Sequence, residues 1–195
     1  MNEKLILGGV FGIGLTVVGG VFLATSLSQD DISQTDAFAV PGKPAMTVAV
    51  AHELFYEVTP ALLLVVYEAF GESQEDAIYD TLASVTHGEA LEYLYLERVG
   101  AMAGGGLAED EDQTIHEIKL LTTEVTREEA TLLIDASWQV IGTVGHSEHM
   151  HVRGNTYSAD LTIAPIDGAW RISNFDLRDV NRSAAGETFL AEQTN

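Results

Sequence analysis

The segment Gly145–Arg153 carries the densest group of side chains that could do chemistry. His149 and His151 stand two residues apart, and His146 precedes them across a short turn. Residues two apart on a β-strand project to the same face, so both histidines could bind one metal ion, with His146 or Glu148 as a third ligand. Imidazole ligands suit zinc or copper. The pattern is compatible with a Zn or Cu site, but two histidines at this spacing are a signal of low specificity, and histidines that form hydrogen bonds in a polar core or an interface give the same pattern.

The same strand face could instead bind a small molecule. If the strand begins at His149, one face presents a polar row followed by apolar residues: His149, His151, Arg153, Asn155, Tyr157, Leu161 and Ile163. A few polar groups beside an apolar lining are typical of a ligand pocket. A carboxylate such as Asp135 could orient a histidine for general acid–base catalysis, or could pair with Arg153 in a structural role. The sequence lacks the G-x-S-x-G, P-loop, H-E-x-x-H and dinucleotide-binding motifs, which favours a non-catalytic domain.

The first half of the chain has helical patterns. Helices are predicted over residues 45–58, 61–70, 73–86 and 89–102. The first of these segments also fits a strand, because Met46, Val48 and Val50 alternate. Thr59 and Pro60 are typical of a helix start, and Gly71 is typical of a helix end. We therefore expect a layer of helices before residue 103.

The second half alternates between apolar and polar residues, as strands do. Strands are predicted over residues 114–125, 130–144, 149–163 and 170–177. Five residues of the second strand share one apolar face: Leu132, Ile134, Ala136, Trp138 and Val140. The short connections between the strands imply antiparallel order. Helices followed by a four-stranded antiparallel sheet predict an α+β fold.

This element order, together with the closing pattern Asp167-Gly168-Ala169-Trp170-Arg171-Ile172, resembles the NTF2-like (cystatin-like, SnoaL-like) superfamily over residues 59–179. The resemblance implies helices packed on a curved four-stranded sheet. It also implies that the concave face, including the polar row that begins at His149, holds any ligand or active site, and that the sheet serves dimerisation. An N-terminal anchor before such a domain is similar to the VirB8 type of secretion-system subunit.

That anchor is predicted at Leu5–Leu27, a run of 23 residues without a charge. At about 1.5 Å of rise per residue, a helix of this length crosses a hydrocarbon core of roughly 30 Å. A cleaved secretory signal is the alternative, but its apolar part usually has about 7 to 15 residues, and Leu23-Ala24-Thr25-Ser26 is a poor cleavage site. We therefore expect a retained, single-pass anchor.

The residues around the anchor predict its orientation and a partner. Lys4 precedes the span and acidic residues follow it, so the N-terminus is expected in the cytoplasm and the domain outside the inner membrane, in the periplasm. Gly8 with Gly12, and Gly20 with Ala24, have the spacing that allows close helix packing. This spacing predicts a homo-oligomer or another membrane or envelope protein as partner, although glycine is also common in spanning helices.

The net charge of the chain excludes some classes of partner. The net charge is −21, and without Glu3 and Lys4 the remaining 29 acids and 8 bases account for all of it. Such a surface excludes nucleic-acid binding, which needs clusters of Lys and Arg. The acidity suits either a cationic partner or solubility at high salt. There is no cysteine, so the chain forms no disulfide.

The chain therefore divides into an anchor (1–28), a linker (29–44), the α+β domain (45–180) and a polar tail (181–195). These features predict a membrane-anchored, extracytoplasmic interaction or assembly module, a non-catalytic subunit of a larger envelope complex. The alternative is a small-molecule or metal-binding domain, or an enzyme, that uses the face of His149 and His151.

Overall fold

The structure, a computed structural model, describes residues 36–103, 112–146 and 149–190. The predicted anchor with its small-residue pairs (Gly8, Gly12, Gly20, Ala24) lies outside these ranges, as does most of the acidic segment 109–112. In the described ranges the structure has no helix whose length and apolar content would let it traverse a bilayer.

The described domain begins with a β-hairpin. Strand β1 (Ala37–Val40) pairs antiparallel with strand β2 (Lys43–Thr47). The turn contains Gly42 at a φ of +65°, a left-handed conformation that glycine adopts without steric cost. Val40 and Met46 are buried, so the hairpin belongs to the core. Residues 37–44, expected in a linker, thus lie in the sheet or its turn.

Four helices follow the hairpin: α1 (Val48–Glu53), α2 (Phe55–Gly71), α3 (Glu75–Val85) and α4 (Glu89–Ala103). The hydroxyl of Thr47 accepts a hydrogen bond from the backbone N–H of Val50 and so caps α1. Residues 45–58, expected as one helix, are therefore divided among β2, α1 and the start of α2.

Helix α2 begins at Phe55 and not at the predicted Thr59–Pro60. Pro60 lies inside the helix, where it forfeits one backbone hydrogen bond near the N-terminal end. Val58 and Leu62 are completely buried, and this apolar packing holds the earlier turn in helical form.

Four long strands complete the chain: β3 (Asp112–Glu128), β4 (Thr131–His146), β5 (His149–Ile166) and β6 (Ala169–Leu190). They form the antiparallel succession that the alternating pattern predicts. Strand β6 continues to residue 190, so residues 181–190 of the expected polar tail pair with β5.

The predicted four-stranded sheet is wrong, because the sheet has six strands in the order β2-β1-β6-β5-β4-β3. The hairpin joins the sheet where β1 runs parallel to β6, with Ala39 opposite Ala169. The N–H of Ala39 donates to the carbonyl of Gly168 at 2.9 Å. Trp170, fully buried, strengthens this connection by donating from its indole Nε1 to the carbonyl of Met46 at 3.0 Å.

The sheet has an inner face packed against the helices and an outer face. The five residues predicted to share one face of β4, Leu132 through Val140, are all buried on the inner face. Near its start β3 has an irregularity between Ile115 and Glu117, opposite Gly142. A Cβ at Gly142 would lie 2.7 Å from the backbone carbonyl oxygen of Thr114, so only glycine allows β3 to approach this closely. Bulges of this kind bend a sheet.

Candidate functional site

The predicted polar row lies on β5, which begins at His149 as expected. Its pairing with β4 is uninterrupted from His149 to Ile163, so alternate residues keep to one face. Asn155 and Tyr157 are partly buried on the inner face, in line with the buried Leu161.

The histidines stand at the end of the β4–β5 hairpin. The backbone register places His146 opposite His149 and Val144 opposite His151. The side chains of His146, His149, His151 and Arg153 lie outside the described part of the structure. The metal site formed by the three histidines therefore stays a prediction. Among the side chains that are described, no group of three or more histidines or carboxylates is placed to hold a metal ion.

Asp135 lies on the outer face, opposite to the polar row. Its neighbours Ile134 and Ala136 are buried on the inner face, and a strand alternates its side chains. Its carboxylate accepts two hydrogen bonds from the guanidinium of Arg178, one of them at 3.0 Å. These bonds lower the pKa of Asp135. Asp135 thus forms a surface ion pair, and the structure does not bring it together with Asn155 or Tyr157.

Arg178, on β6, contacts carboxylates on two other strands. Its Nε atom lies 3.5 Å from a carboxylate oxygen of Asp160, which is the register partner of Asp135. The register of β6 shifts between Ser158 and Ala159, next to Arg178. This arrangement neutralises part of the negative charge on the outer face, and it fixes three strands relative to one another.

A series of aromatic rings fills the space between the helices and the inner face. The rings in contact are, in order, Phe70, Tyr67, Tyr157, Trp138, Phe175 and Tyr93. We call this series the aromatic ladder. The ring centroids of Tyr67 and Tyr157 are 5.6 Å apart, and Trp138 stacks on Tyr157 at 5.9 Å. Trp138 is fully buried, so this level of the inner face is packed with side chains.

The ladder has one polar contact at its centre. The indole Nε1 of Trp138 donates to the hydroxyl of Tyr67 at 3.1 Å. Burial, followed by the proximity of Tyr157, raises the pKa of Tyr67 well above its ordinary value. Tyr67 is therefore a neutral phenol at physiological pH, able to accept and donate hydrogen bonds but not to act as an anion.

The ladder ends at Tyr93, whose ring stacks on Phe175 of β6, beside a groove along one flank of α4. The groove has a volume of about 390 Å³ and is lined by Tyr93, Leu96, Glu97, Gly100 and Ala101. We call this surface the α4 groove. Leu96 is 59% exposed, the largest value among the exposed large apolar side chains. Burial, then the charges of Glu97 and Asp176, raises the pKa of Tyr93.

Sequence reasoning missed both the ladder and the groove. The buried stripe of α4 was recognisable because Leu91, Leu94 and Tyr95 have helical spacing. The apolar residues on its other side, Tyr93 and Leu96, were the available indication that a second face is apolar. Only the fold shows that Tyr93 stacks on Phe175 at one edge of this face while Leu96 stays exposed.

Comparison with known proteins gives no family. No family model and no curated protein matches the chain. Among solved structures, the chain is similar to a de novo designed β-sheet protein determined by solution NMR, with 12% identity, coverage of 69% of this chain and 88% of that chain, and a TM-score of 0.28. A likeness this weak carries no argument about fold or function. The resemblance to NTF2-like proteins accordingly remains an expectation.

Proposed function

We propose that the chain is a single-pass membrane protein whose domain acts outside the cytoplasm as a non-catalytic interaction module in a larger complex. The membrane location rests on the uncharged run Leu5–Leu27. The role of the domain rests on how its inner face is used.

The observation that carries this proposal is the aromatic ladder. A ligand-binding domain needs an open, largely apolar cavity with a few polar groups. Tyr67, Trp138 and Tyr157 occupy the middle of the inner face with ring-to-ring contacts. The polar groups of Trp138 and Tyr67 bind each other. This packing supports a rigid scaffold that presents surfaces, and it does not support a pocket at this level of the sheet.

Two experiments test the proposal. Alkaline carbonate extraction of membranes is expected to leave the full-length protein in the pellet, and protease added to intact spheroplasts is expected to digest the domain. Chemical crosslinking in intact membranes is expected to give species heavier than the monomer. Recovery of monomer alone, or release of the protein by carbonate, would contradict the proposal.

A second candidate is a metal or small-molecule site at the β4–β5 hairpin. It is favoured by the register that sets His146 directly opposite His149. Metal analysis of protein purified without chelator, with the double variant His149→Ala and His151→Ala as comparison, tests this candidate. Stoichiometric zinc or copper that is lost in the variant would support it. Equal metal content in both proteins would exclude it.

A further inference from the structure

The flank of α4 that carries the groove is unusual for a surface helix. A helix packed on a domain normally has apolar residues toward the core and polar residues toward water. Helix α4 buries Ala90 and Leu94 on its inner side. On the flank that carries the groove, Leu96 and Tyr93 are 59% and 39% exposed, and Tyr93 also stacks on Phe175 of β6. Clustered apolar side chains at the surface are typical of an interaction site.

The shape of the α4 groove suits another helix. Its lining residues follow the spacing i, i+3, i+4, i+7 and i+8 from Tyr93, which is one continuous stripe along the helix. Gly100, which has no side chain, and Ala101, whose side chain is a single methyl group, lie at one end of this stripe. A Cβ built on Gly100 would have no other atom within 4 Å, so the backbone there is open to a partner. Small residues allow two helices to approach closely.

The charges around the groove select the partner. The exposed charged residues of α4 are all acidic: Glu89, Glu92 and Glu97. The one basic residue of α4, Arg98, is 8% exposed and donates from Nη2 to the carbonyl of Glu72 at 2.9 Å. Arg98 therefore holds the end of α2 and adds little positive charge to the groove.

This electrostatic pattern disfavours several occupants. A second copy of the chain would bring Glu97 against another acidic surface, and like charges across an interface cost free energy. Nucleic acid and anionic lipid are repelled for the same reason. A cationic partner is attracted both by the groove and by the net charge of −21.

We propose that the α4 groove docks a basic amphipathic helix of a partner protein, with apolar side chains on Leu96 and Gly100 and Lys or Arg side chains near Glu97. Helix-in-groove recognition uses apolar anchors at helical spacing, and flanking charges increase the association rate and the specificity. This inference rests on the proposed interaction role, and it names the surface and the chemistry of the partner.

The test uses the full-length protein in nanodiscs of zwitterionic lipid. The probe is a fluorescently labelled helical peptide of 18 residues that contains only Leu and Lys in an amphipathic pattern. A second peptide with Glu in place of Lys controls for charge. Binding is measured by fluorescence anisotropy at low and at physiological salt. We expect the Lys peptide to bind, with affinity falling as salt rises, and the Glu peptide not to bind.

The variant Gly100→Lys puts a long side chain into one end of the groove and adds a positive charge there. Its matched control is Gly71→Lys on α2, where a Cβ also meets no atom within 4 Å, so both variants have the same net charge. We expect Gly100→Lys to weaken binding by at least about tenfold, and Gly71→Lys to leave it close to wild type. Lysine is a better helix former than glycine, so Gly100→Lys is expected to remain folded.

Several results would overturn the proposal. One is equal binding of the Lys peptide to Gly100→Lys and to wild type; another is equal binding of the Lys and Glu peptides to wild type. A dimer that sedimentation detects in the wild type and not in Gly100→Lys would identify a second copy as the occupant, and would also overturn it. Crosslinking in membranes separates this inference from the proposed function. Crosslinks that persist in Gly100→Lys refute the groove alone, whereas their absence in the wild type refutes the interaction role itself.

Discussion

The hydrogen bond inside the aromatic ladder gives the sharpest test of the structure. The variant Tyr67→Phe removes the hydroxyl that accepts from Trp138 Nε1 at 3.1 Å, and little else. Trp138 is fully buried, so its N–H would lose its acceptor in a site without easy access to water. An unsatisfied buried donor costs about 1–3 kcal/mol. For a domain of this size we expect the melting temperature to fall by roughly 2–4 °C for each kcal/mol.

The assay is urea unfolding of the full-length protein, followed by tryptophan fluorescence. Both tryptophans, Trp138 and Trp170, are completely buried and report unfolding as a red shift. The matched control is Tyr56→Phe, which removes the same atom from a residue that is 53% exposed. We expect the control to change the free energy of unfolding by less than about 0.5 kcal/mol. Equal stability of the two variants would refute the packing described here.

A pH dependence follows from the same hydroxyl. The pKa of Tyr67 is raised in the folded state, so the unfolded chain loses this proton first as pH increases. The contribution of Tyr67 is therefore complete below the unfolded value of about 10 and is lost as pH rises toward the folded pKa. Above pH 10 we expect the wild type to lose up to about 1.4 kcal/mol per pH unit through this group. Tyr67→Phe should lack that part of the slope, and identical slopes in the two proteins would contradict the assignment.

Three further variants test other parts of the fold. Trp170→Phe leaves the carbonyl of Met46 without its indole donor, so we expect a loss of about 1–3 kcal/mol in urea unfolding and faster hydrogen exchange in the β1–β2 hairpin; unchanged exchange would contradict the link. Gly142→Ala forces a Cβ against the backbone of β3, so it should lower the melting temperature, whereas an unchanged value would mean that β3 does not approach as closely as described. Arg178→Gln should raise the pKa of Asp135 toward its ordinary value in a carboxyl NMR titration. In the wild type the ion pair stabilises the fold above the folded pKa of Asp135, and this stabilisation is lost as pH falls through that pKa; the variant should show a smaller loss. An unaltered titration would refute the ion pair.

The long strands could be predicted because their chemistry is local. Alternating apolar residues from Leu132 to Val140 identified the apolar face of β4, and the short connection before residue 170 indicated an antiparallel turn into the last strand. The structure has both features, with Asp167 and Gly168 at positive φ. Each prediction needed only neighbours within the same strand or turn.

The hairpin could not be predicted on the same basis. The segment Pro41-Gly42-Lys43-Pro44 has the composition of a breaker, and two short strands beside it have too few residues to show a clear period. Their stability comes from Trp170, which is distant in sequence and binds the carbonyl of Met46. The expected four-stranded sheet was wrong for this reason. Likewise, the local preference for a helix start at Thr59 was overridden by burial of Val58.

The candidate site also has one part that could be predicted from the sequence and other parts that depend on the fold. Asp135 and Tyr157 lie on opposite faces of the sheet. The position of Asp135 follows from alternation, because Ile134 and Ala136 were already expected to share the apolar face, and this argument could have been made from the sequence. The ladder between Tyr67 and Trp138 joins residues 71 positions apart, and no local pattern specifies it. The open side of α4 depends on what the rest of the domain leaves uncovered.

The most direct test of the interaction role is site-specific photocrosslinking in intact membranes. A photoreactive residue replaces Leu96 in the α4 groove, with Tyr56 as an exposed control position of similar accessibility, 59% against 53%. We predict an adduct from position 96 whose partner peptide is a helix rich in Lys or Arg, and no such adduct from position 56 or in a protein that also carries Gly100→Lys. Recovery of only uncrosslinked monomer from position 96 would contradict the account.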